Sequence, residues 1–444
     1  MPTGARRVDA RSGESREQVT SVSGIASVLV RFYNAYARAG AAARTDRFTC
    51  LPYCHGLIMT TPNQIFDAFC QKAQLGCDAN CRPCVQLAGM RTESLNRIVD
   101  HDRFITNTIS SKHIRPNGCH GVHLGVVQSH LLNAFAAEHL GWFLIGINRG
   151  TYHFLLSVAA RMLSDRRVLP DIGDPEKELP EVPVTDLLSM EDSRLDKPLF
   201  PKSPVRDQYS HMLYEEMIQF LIFHELAHIV RGHVGFLSSP NRTGLIQEFN
   251  MAPQPGGSLA SQAMEAHADM SAAELCFINS FSKHQLSQDP DCRIADDDSV
   301  NAIRKELYAD KALTAMRTAL AIYLLFRAFA PDSRATTRLQ ESELIQGSHP
   351  HPLVRQGLLM GQLYATLLDK EPDLTKGNPV GYTAIRVAEN AISFASGGGE
   401  CTEIPDDLRN NIELIQNHMR TLLRKIDEIK PHYARYAWPS KPIP

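Results

Sequence analysis

Residues 208–232 contain the stretch that decides the fold, QYSHMLYEEMIQFLIFHELAHIVRG. Its apolar side chains recur at steps of three and four residues, which is the spacing of one face of an α-helix. The members of this series are Met212, Leu213, Phe220, Leu221, Phe223, Ala227 and Val230. The run stops near Gly232, a residue type that often follows the last turn of a helix. The stretch therefore predicts one long apolar helix.

Helical patterns also follow on the C-terminal side of this stretch, at residues 260–280, 298–330, 351–370 and 405–428. On the N-terminal side, residues 125–147 are apolar but interrupted by polar side chains. That pattern predicts either a buried helix or a hairpin. We therefore expect a mainly α fold, with an α+β N-terminal third as the open alternative.

The composition bounds the organisation of the chain, whose 444 residues suffice for two or three domains of roughly 150 residues each. The 46 Lys and Arg nearly balance the 49 Asp and Glu, which excludes a polybasic nucleic-acid-binding protein. Seven of the 26 prolines lie among acidic residues in positions 170–204, which predicts a linker or an extended strap. We expect four parts. They are a Cys-containing N-terminal region (1–169), this Pro-rich acidic linker or strap (170–207), a core that contains the long helix (208–370) and a C-terminal helical region (371–444).

The sequence also carries predictions about the compartment. No stretch reaches 18 consecutive apolar residues, so we expect no integral membrane segment. The N-terminus lacks the uninterrupted apolar run of a secretory signal peptide. Ten cysteines without such a signal are more typical of reduced thiols or metal ligands than of disulfides. We therefore predict a cytoplasmic protein.

The long helix contains the motif HExxH, formed by His224, Glu225 and His228. Residues four apart lie about 40° from each other around a helix, so both imidazoles face one side and can share a metal ion. Glu225 lies beside that side and can accept a proton from a water whose pKa zinc lowers towards about 7. The alternative is two histidines and an exposed glutamate without a metal. Burial of such a group in an apolar helix is costly, which favours the metal site.

A catalytic zinc needs a third protein ligand and one open position. The next helical pattern supplies Glu265 and Asp269, again four residues apart. One of these carboxylates can bind the metal while the other orients a ligand histidine. The alternative is a solvated acidic helix face. Residues 238–261 form a loop long enough to bring the two helices together. We expect substrate specificity to lie in this loop, with the Pro-rich acidic strap as the second candidate.

The motif HExxH with a downstream ExxxD is the arrangement of gluzincin metallopeptidases, and the chain resembles the HtpX and CAAX-prenyl-protease family among them. Gly232 and His233 fit the form HExxHxxxGH, which occurs in many members. The segment from His349 to Arg355 resembles the HPxxxxR element of that family. The alternative frame, which starts at His351, places the arginine two residues too close. A looser resemblance, to soluble phage-exclusion peptidases of the Lit type, rests on the HExxH motif alone.

The resemblance covers the chain from Gln208 to roughly Leu358, and it implies a zincin-like helical metallopeptidase core within residues 208–370. The zinc ligands that it implies are His224, His228 and Glu265. It further implies Glu225 as the general base and Asp269 as the carboxylate that orients a ligand histidine. The membrane-embedded members of the family have transmembrane helices, which this sequence does not predict, so a prenylated substrate is not expected.

Four further histidines lie near these motifs. His349 is predicted to donate a hydrogen bond to the oxyanion that forms during catalysis, and His351 is the other candidate for this role. The alternative for both is a loop histidine packed beside proline. His233 falls on the helix face opposite the metal-binding side and is interpreted as structural. His267 is two residues from Glu265, so it is expected to point away from the metal.

The N-terminal region contains a CxxxCxxC cluster, formed by Cys77, Cys81 and Cys84. With one more ligand, three thiolates at this spacing can bind a structural zinc. Radical-SAM enzymes use the same spacing for an iron–sulfur cluster, but they usually have an aromatic residue where this chain has Pro83. Free buried thiols are the third possibility.

These patterns together predict a zinc-dependent endopeptidase that acts on a protein or peptide substrate. The open alternatives are a non-catalytic module, in which a metal only stabilises a protein-binding fold, and an iron–sulfur enzyme built on the cysteine cluster. The first alternative is disfavoured because Glu225 has little reason to be glutamate unless it activates a water. The sequence does not predict the oligomeric state.

Overall fold

The computed structural model describes part of the chain, and it is mainly helical, as predicted. The described residues are 61–76, 119–182, 187–188, 199–238, 246–247, 259–329, 339–345, 347–375, 380–401 and 406–439.

The α-helices of these segments follow one another through the whole described chain. They are α1 (Pro62–Lys72), α2 (Arg149–Leu163), α3 (Pro204–Val230), α4 (His233–Leu237), α5 (Leu259–Ser287), α6 (Asp298–Ala309), α7 (Lys311–Ala328), α8 (Glu341–Leu344), α9 (Pro352–Lys370), α10 (Val380–Ala395), α11 (Asp406–Asn410) and α12 (Ile412–Ala434). Single 3-10 turns are formed by Pro175–Lys177 and Pro372–Thr375.

A small mixed sheet lies mostly in the N-terminal third. Its strands are β1 (Gly121–Val127), β2 (Ala134–His139), β3 (Trp142–Asn148) and β4 (Ile246–Gln247), in the order β1-β3-β2-β4. Strand β3 pairs in parallel with β1 and antiparallel with β2. Leu140 and Gly141 connect β2 to β3, and both have positive φ, as a two-residue hairpin turn requires. Of the two structures predicted for residues 125–147, the hairpin is the one that forms.

Helix α3 is buried on all sides from Met212 to Val230. It packs against α2, α5 and α7, which explains why its apolar residues extend beyond a single stripe. It begins at Pro204, four residues before the predicted start, because the fixed φ of proline suits a first helical position, where no N–H donor is needed. It ends before Gly232, whose φ of 85° is left-handed.

Two of the predicted helices are interrupted. Residues 298–330 form α6 and α7, because the carboxylate of Asp310 accepts a hydrogen bond from the backbone N–H of Leu313 (3.0 Å) and so caps a new helix. Residues 405–428 form α11 and α12, which are separated by Asn411. Both regions are helical, as their patterns predicted, but the patterns did not locate the breaks within them. At Asp310 the short polar side chain competes with the helical hydrogen bonds of the backbone, and apolar periodicity does not register this competition.

The start of α3 is anchored to the segment that follows α2. Arg206 is fully buried, and its guanidinium donates to carbonyl oxygens of that segment at 2.8–3.1 Å. The acceptors are Leu163, Asp165, Val168, Leu169 and Ile172. In addition, the carboxylate of Glu178 accepts hydrogen bonds from the backbone N–H groups of Lys202 and Ser203. These hydrogen bonds attach residues 163–178 to the start of α3.

One apolar core includes residues from all four predicted parts, for example Leu124, Ile172, Phe220 and Ile392. Helix α3 also crosses the boundary predicted between the strap and the core. The division into four parts stays a prediction. In the part of the chain described here, no helix has both the length and the apolar character that crossing a bilayer requires.

Candidate metal centre

Two histidines of α3 and one glutamate of α5 converge in the interior. The Nε2 atom of His224 lies 3.0 Å from Nε2 of His228 and 3.2 Å from Oε2 of Glu265. The Oε1 atom of Glu265 lies 3.6 Å from Nε2 of His228. Ligand atoms at tetrahedral positions, each about 2.0–2.1 Å from a zinc ion, lie about 3.3 Å from one another. The three side chains could therefore bind a metal ion.

The packing of α3 against α5 produces this convergence. The four-residue spacing places His224 and His228 on one face of α3. On α5, Ala272 and Ala273 are buried in the same apolar core as Phe220 of α3, and their small side chains allow the two helices to approach closely. The site thus depends on a local helical repeat and on one close contact between helices.

The carboxyl of Glu265 is ionised although it is only 3 % exposed. Burial raises the pKa of this carboxyl, but His349, His228 and His224 around it hold that pKa well below its ordinary value. A carboxylate must be deprotonated to bind a metal ion. The electrostatic surroundings of Glu265 therefore favour its form as a ligand.

A charged pair lies behind His224. The Nδ1 atom of His224 lies 2.9 Å from Oδ1 of Asp269. The carboxylate favours a proton on this nitrogen, and that tautomer leaves Nε2 free to bind a metal. Arg355 donates to both oxygens of Asp269, at 2.8 and 2.7 Å, and its guanidinium lies 4.4 Å from the ring centre of Phe326. We call Asp269 and Arg355 the charged branch of the site. Asp269 thus lies between His224 and Arg355 in the interior.

A neutral group of side chains lies behind His228. The Nδ1 atom of His228 is 3.0 Å from Nδ1 of His233, and Nε2 of His233 is 3.3 Å from Nδ1 of His267. The hydroxyl of Tyr433, on α12, is 3.0 Å from the same Nδ1 of His267. We call His233, His267 and Tyr433 the neutral branch.

Both histidines of the neutral branch are uncharged at neutral pH. Burial, and then the nearby His228 and His267, lower the pKa of His233 well below its ordinary value. Burial, and then Arg231 and Lys430, lower the pKa of His267 in the same direction. Each imidazole therefore carries a single N–H group.

The interpretation of His233 as a residue on the face opposite the metal is wrong in its geometry. That expectation extends α3 through Gly232, whereas the positive φ of Gly232 ends the helix and starts α4 at His233. The change of chain direction at Gly232 places the side chain of His233 against that of His228. His267 does not join the metal-binding group, in agreement with the expectation for it, but it contacts His233 and Tyr433.

His349 lies next to the metal-binding group, whereas His351 does not. The Nε2 atom of His349 is 3.5 Å from Oε2 of Glu265, and Nδ1 is 2.9 Å from the hydroxyl of Ser348. With 18 % of its side chain exposed, His349 is more accessible than His224, His228 and Glu265. His351 instead accepts a hydrogen bond from the backbone N–H of Leu353 (3.3 Å) at the start of α9. Of the two histidines that could begin the HPxxxxR element, His349 is therefore the one that lies beside the metal-binding group.

Glu225 is fully buried on α3, one residue after the first histidine. The alternative with an exposed glutamate is thus excluded by its burial. The solvated acidic face considered for Glu265 and Asp269 is excluded in the same way, since these residues are 3 % and 0 % exposed. The acidic side chains of both motifs belong to the protein interior.

Two groups of functional interest were missed by the sequence analysis. Arg355 was recognised only as part of a motif, without the bidentate contact to Asp269. The role of Tyr433 had no sequence signal, because 166 positions separate it from His267. The position of His233 could have been inferred from Gly232, because a glycine at this point can end the helix and change the direction of the chain before His233.

The cysteine cluster predicted from Cys77, Cys81 and Cys84 lies outside the described residues. Cys70, in α1, is described and is a free thiol. Burial, and then the nearby Asp67, raise the pKa of Cys70 to about 12, which makes it unreactive at neutral pH. The second, structural zinc stays a prediction.

No protein-family model, no curated protein and no solved structure matches this chain. The resemblance to the gluzincin family accordingly rests on the motifs alone.

Proposed function

We propose that the chain is a zinc-dependent endopeptidase, with His224, His228 and Glu265 as the metal ligands. The observation that carries the proposal is the convergence of these three donors at 3.0–3.6 Å, with Glu225 of the same motif beside them on α3. Two imidazole nitrogens and one carboxylate form a donor set typical of catalytic zinc, which keeps a further position for water or substrate. No glutamate is needed at position 225 for a site that only binds metal.

Zinc in such a site acts as a Lewis acid and lowers the pKa of a water to about 7. The carboxylate of Glu225 would accept a proton from the attacking water and pass it to the leaving amine of the peptide. Because Glu225 is buried beside His224, its proton transfers would occur shielded from bulk solvent.

His349 would stabilise the developing negative charge on the carbonyl oxygen of the substrate. Its Nε2 atom lies at the metal-binding group, and its side chain is partly exposed and so can be reached from outside. A hydrogen bond donated to that oxygen would be stronger in the transition state than in the ground state, which is the condition for catalysis. His349 would then contribute to the rate and not to metal binding.

The test measures zinc content and peptide hydrolysis on the same preparations. Wild type should contain about one zinc per chain, which His224→Ala should lose and Glu225→Gln should retain. An additional equivalent that survives both substitutions would come from the cysteine cluster. Elemental mass spectrometry gives the metal content.

Hydrolysis is followed by mass spectrometry on a library of unmodified peptides. Glu225→Gln should lower the rate about 10²–10⁴-fold. Glu306→Gln makes the same chemical change at an exposed position of α6 and should not alter the rate. Wild type without zinc, or equal rates for Glu225→Gln and wild type, would reject the proposal. Zinc without hydrolysis in any preparation would favour a metal-stabilised binding module.

A further inference from the structure

The hydrogen bonds behind His228 extend from the candidate metal centre to the C-terminal helix. His233, His267 and Tyr433 are 0 %, 4 % and 2 % exposed, so water does not compete for their hydrogen bonds. The ring of Tyr433 lies edge-on to that of His233, with the ring centres 4.6 Å apart. The three side chains therefore form one packed unit.

The direction of these hydrogen bonds is coupled to metal binding. A metal ion on Nε2 of His228 requires that the single proton of this ring be on Nδ1. This N–H group then donates to Nδ1 of His233, so the proton of His233 is on Nε2 and donates to Nδ1 of His267. The latter nitrogen carries no proton in this arrangement, and its single lone pair is shared by the N–H group of His233 (3.3 Å) and the hydroxyl of Tyr433 (3.0 Å). A hydroxyl that donates to this nitrogen keeps it unprotonated and so opposes the reverse direction of the series. If these hydrogen bonds ran in the opposite direction, Nδ1 of His228 would accept a proton from His233. The proton of His228 would then be on Nε2, which could not bind a metal ion.

The position of Tyr433 is fixed from two sides. Helix α12 packs on α5 and α9 through an apolar cluster that includes Ile415 and Met419. Beyond the end of α12, the backbone N–H of Trp438 donates to the carbonyl oxygen of Val230, at the end of α3 (2.9 Å). The C-terminal segment is thus attached to the helix that carries the two histidine ligands.

We infer that Tyr433 is a positioning residue for the metal centre. Through His267 and His233, its hydroxyl favours the tautomer of His228 that leaves Nε2 available, and the C-terminal helix thereby increases the affinity for zinc. The inference rests on the zinc site of the proposed function but not on peptide hydrolysis. It assigns to the C-terminal region a role in metal binding.

The test determines zinc affinity by competition with a chromogenic chelator at pH 7.5, on metal-free protein whose fold is verified by circular dichroism. His233→Phe keeps a ring of similar size but accepts no proton from His228, so it should weaken zinc binding about 10–100-fold. Tyr433→Phe removes only the hydroxyl and should weaken it less, by about threefold to tenfold. Tyr436→Phe makes the same change three residues later in the segment and should leave the affinity unchanged.

The double variant separates a hydrogen-bonded series from a general loss of stability. If Tyr433 acts through His233, adding Tyr433→Phe to His233→Phe should cause no further loss of affinity. A second readout is nitrogen-15 NMR of zinc-loaded protein labelled in histidine, in which His233 should be protonated on Nε2 in wild type.

Two results would overturn the inference. One is equal zinc affinity for Tyr433→Phe and Tyr436→Phe. The other is strictly additive losses in the double variant, which would show that the hydroxyl acts elsewhere. Both differ from failure of the proposed function, in which wild type itself would bind no zinc.

Discussion

His224 and His228 lie one helical turn apart and face the same point, but the groups behind them differ in charge. The charged branch holds His224 with a carboxylate that is itself bound by Arg355. The neutral branch holds His228 with an imidazole, a second imidazole and a phenol. Both can select the tautomer that leaves Nε2 to the metal. They reach this result by different physical means.

The difference has consequences for robustness. The charged branch brings opposite charges into the interior, so removing one of them leaves a strongly unfavourable buried charge. The neutral branch buries no charge, but its effect depends on the packing of the C-terminal segment against α3 and α4. We therefore expect substitutions in the charged branch to affect folding and metal binding together. Substitutions in the neutral branch should mainly alter metal affinity.

The largest effect is expected from Asp269→Asn. The amide keeps the size of the side chain, but the guanidinium of Arg355 loses its buried counter-charge, so the free energy of unfolding should fall by about 3–5 kcal/mol. Zinc affinity should fall about 10–100-fold at the same time. Urea denaturation of metal-free protein and chelator competition measure the two losses. Asp427→Asn, at an exposed position of α12, is the matched control; equal stability of the two variants would contradict the assignment of a charged branch.

His349→Ala should lower the rate of peptide hydrolysis about 10²–10³-fold, the usual cost of removing one hydrogen-bond donor to an oxyanion. Zinc content and stability should remain near wild type, because the side chain is partly exposed and is not among the three ligands. The measurements are steady-state kinetics and elemental analysis. Loss of zinc in this variant would instead make His349 a metal ligand.

Gly232→Ala tests the packing on which the neutral branch depends. A Cβ atom at this position would lie 2.5 Å from the backbone of Tyr433 and Ala437, in addition to the strain of the positive φ. Gly397 has a similar φ of 76°, with no atom within 4 Å of an added Cβ. Gly232→Ala should therefore destabilise the protein by about 1–3 kcal/mol more than Gly397→Ala. Urea denaturation measures the difference, and equal losses would show that the C-terminal segment is not packed against this glycine.

The smallest effect is expected from His351→Ala, which removes the cap of α9. The free energy of unfolding should fall by about 1 kcal/mol, as for other helix caps. The hydrolysis rate should stay at the wild-type value, in contrast to His349→Ala. A rate loss as large as that of His349→Ala would reverse the assignment of the two histidines.

Local sequence patterns were sufficient for the helices and for most of the candidate ligands. The apolar repeat predicted α3, and the four-residue spacings placed His224 with His228 and Glu265 with Asp269 on common helix faces. These predictions succeed because a helix repeats every 3.6 residues, so positions along the chain fix which side chains share a face. The repeat did not locate the boundary at Asp310, because a helix cap is a competition between side chain and backbone that apolar periodicity does not register.

The sequence by itself thus determined the mainly helical fold, the HExxH face and the acidic residues of the next helix. Only the tertiary structure decided that α5 approaches α3 closely enough for Glu265 to meet both histidines, that Arg355 neutralises Asp269, and that Tyr433 reaches the other side of the site. The physical reason is the range of the interactions. Hydrogen bonding within a helix couples residues a few positions apart, whereas the burial of apolar surface brings together helices from distant parts of the chain, and no local pattern specifies which of them meet.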